Sequence, residues 1–195
     1  PKLNSLLPDP AHLLDMDVAV VRIMQAISAN EKIAIFGDYD VDGATSSALL
    51  ARFFRAIEVT HQIYIPDRHA EGYGPNIQAF EKLKNDGASV IITVDCGTTA
   101  FEPLSFANDI GLDVIIVDHH IAESNLPHAI AIINPNRLDE QSRHTQLAAV
   151  GVSFLLIVAV NRALREAGFF SKNLSIQEPN LMNLLDIVAL GTVAD

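Results

Sequence analysis

Three short and largely apolar runs, Ile33–Phe36, Ser89–Val94 and Val114–Val117, each end within two residues in an aspartate. The runs are too short for helices and are rich in β-branched residues, so they read as strands. Between them lie segments with apolar residues at helical spacing. Strands separated by helices are joined by crossovers rather than hairpins, and crossovers pair strands in parallel. The spacing predicts further strands at His61–Pro66 and Ala129–Ile133. It predicts helices at Asp17–Ser28, Ala44–Ile57, Pro75–Asn85 (with Pro at the first position), Ala100–Asp109, Leu147–Glu166 and Pro179–Leu190, the last closed by Gly191. The expected fold class is α/β: a doubly wound, mostly parallel five-stranded sheet with helices on both faces. In such sheets ligands sit beyond the carboxyl ends of the strands, which is where these aspartates fall.

The chain has 195 residues, 49% hydrophobic and 19% charged, which suits one ordinary domain with a sizeable core and excludes disorder. A single cysteine, Cys96, excludes a disulfide framework and fits a reducing compartment, so a cytoplasmic location is expected. No signal peptide is visible. The longest apolar run, Leu147–Val160, falls short of the ~20 residues of a membrane span and reads as a core helix. The net charge of −11 argues against a general nucleic-acid-binding surface. It leaves room for a nuclease site, because bound metals bring their own positive charge. A chain that starts at Pro1 and stops at Asp195 is expected to be part of something longer.

The chemistry concentrates in four places. Asp38, Asp40 and Asp42 alternate after the first strand, and in extended backbone alternate residues share one side. Crowded carboxylates in a partly dry place need cations, so a divalent metal site is the natural explanation. An EF-hand is excluded, since there is no glutamate at the twelfth position and the segment lies between strand and helix. Asp95-Cys96-Gly97 follows the third strand; Cys96 reads as a small buried residue and Gly97 as a place of close backbone approach. Asp118-His119-His120 follows the fourth strand, and imidazole with carboxylate suits Mn²⁺, Zn²⁺ or Fe²⁺. Neighbouring residues point different ways, so one histidine can coordinate while the other faces substrate. Asp195, after Gly191-Thr192-Val193-Ala194, is unremarkable alone. His12, His61, His69, His128 and His144 show no ligand spacing.

Taken together, Phe36-Gly37-Asp38-Tyr39-Asp40-Val41-Asp42-Gly43-Ala44-Thr45-Ser46, Val94-Asp95-Cys96-Gly97, Asp118-His119-His120 and Gly191-Thr192-Val193-Ala194-Asp195 resemble the four motifs of the DHH phosphoesterase superfamily. The form is that of its single-strand-specific 5′-to-3′ DNA exonucleases. Tyr64-Ile65-Pro66-Asp67-Arg68, Glu71-Gly72-Tyr73-Gly74, Asn134-Pro135-Asn136-Arg137 and Val150-Gly151-Val152 agree with it. The chain departs from the family at Ala148-Ala149, where Ala-Gly is common, and after the His pair, where a Pro-Gly is missing.

The resemblance implies that residues 1–195 form the catalytic DHH domain, with the family's C-terminal DHHA1 and OB-like domains outside this chain. It implies two divalent ions, Mn²⁺ with Mg²⁺ as the alternative, held by Asp40, Asp42, Asp95, His119 and Asp195, with Asp95 between the ions. Asp38 joins them or orients water, Asp118 fixes the neighbouring histidine or backbone, and His120 faces the scissile phosphate. Arg68 and Arg137 are candidates for phosphate contacts, since arginine pairs bidentately with phosphate oxygens. The implied activity is two-metal phosphodiester hydrolysis of single-stranded DNA from the 5′ end in repair and recombination. Single-stranded DNA, a single-strand-binding protein and a helicase are the implied partners, with no membrane. Two alternatives stay open: another DHH phosphoesterase acting on short oligonucleotides, cyclic dinucleotides or pyrophosphate, and an inactive DHH scaffold that binds replication partners.

Overall fold

The computed structural model describes residues 7–195; the first six residues of the expected 1–195 domain lie outside the described part. In chain order the elements are α1 (Met16–Ser28), β1 (Lys32–Gly37), α2 (Val41–Ala56), β2 (His61–Tyr64), α3 (Ile77–Asn85), β3 (Ala88–Val94), α4 (Phe101–Asp109), β4 (Asp113–Val117), β5 (Ala131–Ile133), α5 (Ala149–Glu166), α6 (Phe169–Lys172) and α7 (Leu185–Ala194). Short 3-10 turns at Pro10–His12 and Leu181–Leu184 precede α1 and α7. The five strands form one sheet in the order β2-β1-β3-β4-β5, and every pair is parallel.

The strands carry apolar residues on both sides, as a sheet covered on both faces requires. Ile33, Ile35, Val90, Ile92, Val94, Ile115 and Val117 face α1, α2 and α5. Ala34, Phe36, Ile91 and Ile116 face α3 and α4 across Phe80, Leu83 and Leu104. The run read as a core helix is α5, whose apolar residues from Val150 to Ile157 are almost wholly buried. No helix among the described residues is long and apolar enough to cross a membrane.

Strand register sets the site. Gly37 pairs with Val94, Val94 with Val117 and Val117 with Ile133. The next residues, Asp38, Asp95, Asp118 and Asn134, therefore leave the sheet at one level. The chain turns to opposite faces after β1 and β3, so a crevice opens between Asp38 and Asp95, the topological switch point of such a sheet.

Several element boundaries differ from the sequence reading, each for a local reason. Helix α2 starts at Val41 rather than Ala44, because the Asp40 side chain accepts from Gly43 N at 2.9 Å and caps the helix. Asp42 thus lies in the first helical turn, so the extended alternation expected of the three acids does not reach it, while Asp40 keeps extended backbone. Helix α3 starts at Ile77, capped by Asn76, and Pro75 precedes the cap instead of opening the helix. The short helix α6 lies between the expected helices Leu147–Glu166 and Pro179–Leu190, where none is expected.

Gly191 does not close the last helix. It lies within α7, where an added Cβ would stand 2.4 Å from Thr45 Oγ1 and 2.7 Å from Val150 Cγ1. The missing side chain lets α7 lie directly on α2 and α5, which carries Asp195 to the crevice. Gly191→Ala should therefore push α7 outward and cost about 1–3 kcal/mol of stability, the usual range for overpacking. Thermal melting of the variant should show a lowered midpoint, and an unchanged midpoint would mean that α7 does not pack as described.

Candidate metal centre

Each acid in the crevice is held by a different local device. Asp38 is buried, and its Oδ1 accepts from Tyr39 N at 2.7 Å. Asp40 caps α2. Asp42, 2% exposed, accepts from Ala149 N at 2.6 Å and Val150 N at 2.8 Å, the first free N–H groups of α5. Ala148 at the cap position of α5 has no side chain able to do this, so Asp42 caps the helix from a distant part of the sequence. Asp118 is the most satisfied of all. Its oxygens accept from the N–H groups of Thr98, His119 and His120, and Oδ1 accepts from His120 Nδ1 at 2.8 Å.

Asp95 is the exception. It is 2% exposed, its backbone is left-handed at φ 61, and its Oδ1 is buried without a hydrogen-bond partner. A non-glycine residue in this conformation is strained, and such strain gathers at functional sites. His119 Nε2 stands 3.2 Å from that oxygen without hydrogen-bond alignment, and 3.7 Å and 3.8 Å from carboxylate oxygens of Asp42 and Asp195. Three groups with ligand atoms close enough to share an ion result: Asp38 with Asp40 and Asp95, Asp42 with His119 and Asp195, and Asp95 with His119 and His120. Asp95 and His119 each belong to two of them. The donors are carboxylate oxygen and imidazole nitrogen, a set that suits hard to borderline divalent cations. An orphaned buried carboxylate oxygen between these groups is what a cation site leaves when described by protein atoms alone.

The protonation chemistry reflects the crowding. Burial, reinforced by Asp42 and Asp40, pushes the Asp95 carboxyl up to about 7 against the lowering effect of His119. Burial also raises Asp38 and Asp42, partly offset by their backbone donors. The Asp95 carboxylate raises His119. Asp118 raises His120 to about 9. Asp118 is itself pushed up by burial, but His120 and Thr98 more than offset this and hold it at about 2. Protons here stand where cations would, on groups that cannot all be charged together.

The structure thus brings together Asp38, Asp40, Asp42, Asp95, His119 and Asp195, with His120 and Asp118 beside them. Arg68 lies at the rim, its guanidinium 5.1 Å from the Tyr39 ring centre. Arg137 is a correction to the sequence reading. Its guanidinium is 7% exposed and bonded to Asp15, Asp139 and the Ile132 carbonyl, so its fork is filled and it ties α1 to the segment after β5. Cys96 is buried, donates to the Val94 carbonyl and stays a thiol, its pKa raised by burial. The sequence reading assigned no role to Tyr73, whose hydroxyl donates to the Asp95 carbonyl at 3.2 Å and whose ring meets His120 edge-on. It assigned none to Thr98 either, whose N–H donates to Asp118. The signal for the first was the Glu71-Gly72-Tyr73-Gly74 segment that agrees with the family, and nothing marked the second.

A parallel α/β domain with a carboxylate–imidazole cluster able to hold cations at its switch point is the class defined by fold and site. Residues 32–192 match the family described as DHH family, N-terminal domain, and the chain belongs to that family. It is 42% identical over 187 residues, 96% of its length, to the single-stranded-DNA-specific exonuclease RecJ of Bacillus subtilis strain 168, of which it spans 22%. It is 41% identical over 184 residues to the protein of the same name from Salmonella typhimurium, spanning 94% of this chain and 32% of that one. A crystal structure of exonuclease RecJ bound to manganese superposes with a TM-score of 0.76 at 28% identity, covering 94% of this chain and 43% of the other. The chain therefore spans well under half the length of these relatives.

The raised groups set a pH dependence of the metal-free chain. A carboxyl raised from 3.8 to about 7, as in Asp95, stabilises the fold at low pH, and that contribution is lost as pH rises through about 7. An imidazole raised from 6.5 to about 9, as in His120, contributes below 6.5 and loses that contribution as pH rises through about 9. Asp118 has the opposite sense, but only below 3.8. The melting temperature of metal-free protein should fall steadily between about pH 5 and 9, and saturating divalent cation should flatten that slope. A metal-free midpoint that is flat or rising over this window would overturn the electrostatic description.

Proposed function

We propose that this chain is the catalytic domain of a Mn²⁺-dependent exonuclease that degrades single-stranded DNA from its 5′ end, with Mg²⁺ as the alternative ion. The observation that carries the reading is the convergence of motifs from four distant segments on the unpartnered Asp95 oxygen. The names of its relatives and the manganese in one of their structures support it. In this proposal Asp40, Asp42, Asp95, His119 and Asp195 hold two ions, and Asp38 joins Asp40 and Asp95 as a further ligand. When bound, the ions supply Lewis acidity, a reactive water at neutral pH and neutralisation of phosphate charge.

The protein groups do the rest. Asp118 accepts from Nδ1–H of His120 at 2.8 Å, which fixes the orientation of the ring. With its pKa at about 9, His120 is protonated at neutral pH and offers a positive charge, or a proton, to a phosphate or leaving oxygen. In this proposal Arg68, half of a cation–aromatic pair with Tyr39, meets a phosphate on the substrate.

Asp95→Asn separates site from fold. Asparagine tolerates the left-handed backbone and removes the buried charge, so the metal-free variant should melt at or above the wild-type temperature. Release of mononucleotides from a 5′-phosphorylated single strand by the full-length protein should fall by more than about 100-fold, beyond the usual loss for a merely supporting residue of a metal site. Wild-type protein that cleaves dinucleotides well and long strands poorly would instead favour a short-oligonucleotide phosphoesterase. Wild-type protein that binds no Mn²⁺ would favour an inactive scaffold.

A further inference from the structure

The segment leaving β5 does more than connect. Val117 and Ile133 are paired neighbours, so Asn134 leaves the sheet beside Asp118, and Asp118 N donates to the Ile133 carbonyl at 3.1 Å. Asn134 is wholly buried, and all its hydrogen-bonding groups are used. Its Nδ2 donates to Thr98 Oγ1 at 3.0 Å and to the His120 carbonyl at 2.9 Å, and its Oδ1 accepts from Asn136 N at 2.8 Å. Asn136 in turn donates from Nδ2 to the His119 carbonyl.

These contacts complete a clamp on the two histidines. Their N–H groups both donate to Asp118 Oδ1, at 2.8 and 3.2 Å. Each of their carbonyls accepts from one asparagine amide. The peptide between the two histidines is thereby held on both sides, and the peptides flanking it are each held on one, with the two rings 4.8 Å apart and inclined at 61°. The clamp ends at once, for Ile121 is 84% exposed. A buried asparagine with every donor and acceptor satisfied is costly to replace and rigid where it stands.

We infer that Asn134 and Asn136 are positioning residues with separate targets, Asn136 setting His119 for cation binding and Asn134 setting His120 for work on the substrate. The inference rests on the two-ion reading of the site. Asn136 holds the peptide between the two rings, whose carbonyl belongs to His119. Loss of that hold frees the Nε2 now aimed at Asp42, Asp95 and Asp195. Asn134 holds the next carbonyl, on the far side of His120, together with the Thr98 hydroxyl. Its loss leaves His119 in place and lets the second ring swing from the substrate side.

The test uses full-length protein, with Mn²⁺ titrated by calorimetry and turnover measured on a 5′-phosphorylated single strand. Asn136→Ala should weaken Mn²⁺ binding about 10–100-fold, the range for groups that orient a metal ligand. Asn136→Leu, which keeps most of the volume but has no donor, should do the same. Asn134→Ser should keep Mn²⁺ affinity within about threefold and lower kcat at saturating Mn²⁺ about 10-fold or more. Wild-type affinity in either Asn136 variant, well below its melting temperature, overturns the assignment to His119 and leaves only a structural role. Equal loss of affinity in the Asn134 and Asn136 variants overturns the division between them. Should Asn134→Ser fail to fold, the Asn136 pair alone decides. A wild-type protein that neither binds Mn²⁺ nor turns over removes the functional reading itself, a result distinct from any of these.

Discussion

Mutual repulsion among the carboxylates at the ends of β1 and β3 is the constraint around which the molecule is arranged. Several acids share one crevice, and some are almost wholly buried. Burying a charge without a partner is expensive, so each must find donors or share protons or cations. The fold supplies donors from its backbone. Asp38 turns back on Tyr39 N, Asp40 caps its own helix, Asp42 caps α5, and Asp118 gathers three N–H groups and an imidazole. After this distribution one oxygen, Asp95 Oδ1, remains unserved. A cation entering here relieves the only buried carboxylate oxygen among the described residues that the protein does not satisfy itself.

The same devices that spread the charge also build the scaffold. Because Asp42 is the cap of α5, the helix that covers much of one sheet face starts at the acidic crevice. Because Gly43 lies against Asp38, with an added Cβ falling 2.6–2.7 Å from its backbone, α2 begins directly on the strand end. Gly191 brings α7 down on both helices in the same way. Sheet, helices and site are therefore coupled through short contacts at the carboxyl ends of the strands. A shift of one helix by a methyl group's width would separate ligands that arrive on different elements.

Sequence and structure agree most where a local rule suffices. Apolar runs ending in acids gave away the strands, their parallel pairing and the side of the sheet on which the site lies. Asp95 and Asp118 were legible because each follows a strand directly. Asp42 was found for an incomplete reason, since alternation in an extended chain does not continue into a helix; its place depends on a cap that only α5 can show. Asp195 had no local signal, because it reaches the crevice on a helix whose path is set by a glycine far from any turn. Arg137 looked like a phosphate ligand from its type, yet Asp15, far away in sequence, claims its guanidinium. The roles of Asn134 and Asn136 are of this kind too: the motif was visible, but its hydrogen bonds run to another strand's loop. What sequence alone leaves out is which distant groups use up a side chain's hydrogen-bonding capacity.

The acidity of the chain and the polyanionic substrate proposed for it are reconciled only over short distances. At physiological salt the surface charge acts over about 8 Å, so most of the net −11 is screened before it reaches a strand in the crevice. Inside the crevice the balance reverses: His120 carries a proton at neutral pH, Arg68 stands beside Tyr39, and the proposed cations would offset the carboxylates. Without cations the same place presents a cluster of acids, with Asp95 only partly ionised at neutral pH because burial, reinforced by Asp42 and Asp40, opposes its charge. On the proposed function, ion loading and phosphate attraction are therefore one event, since carboxylates that hold the ions would also repel a phosphate substrate until the ions arrive.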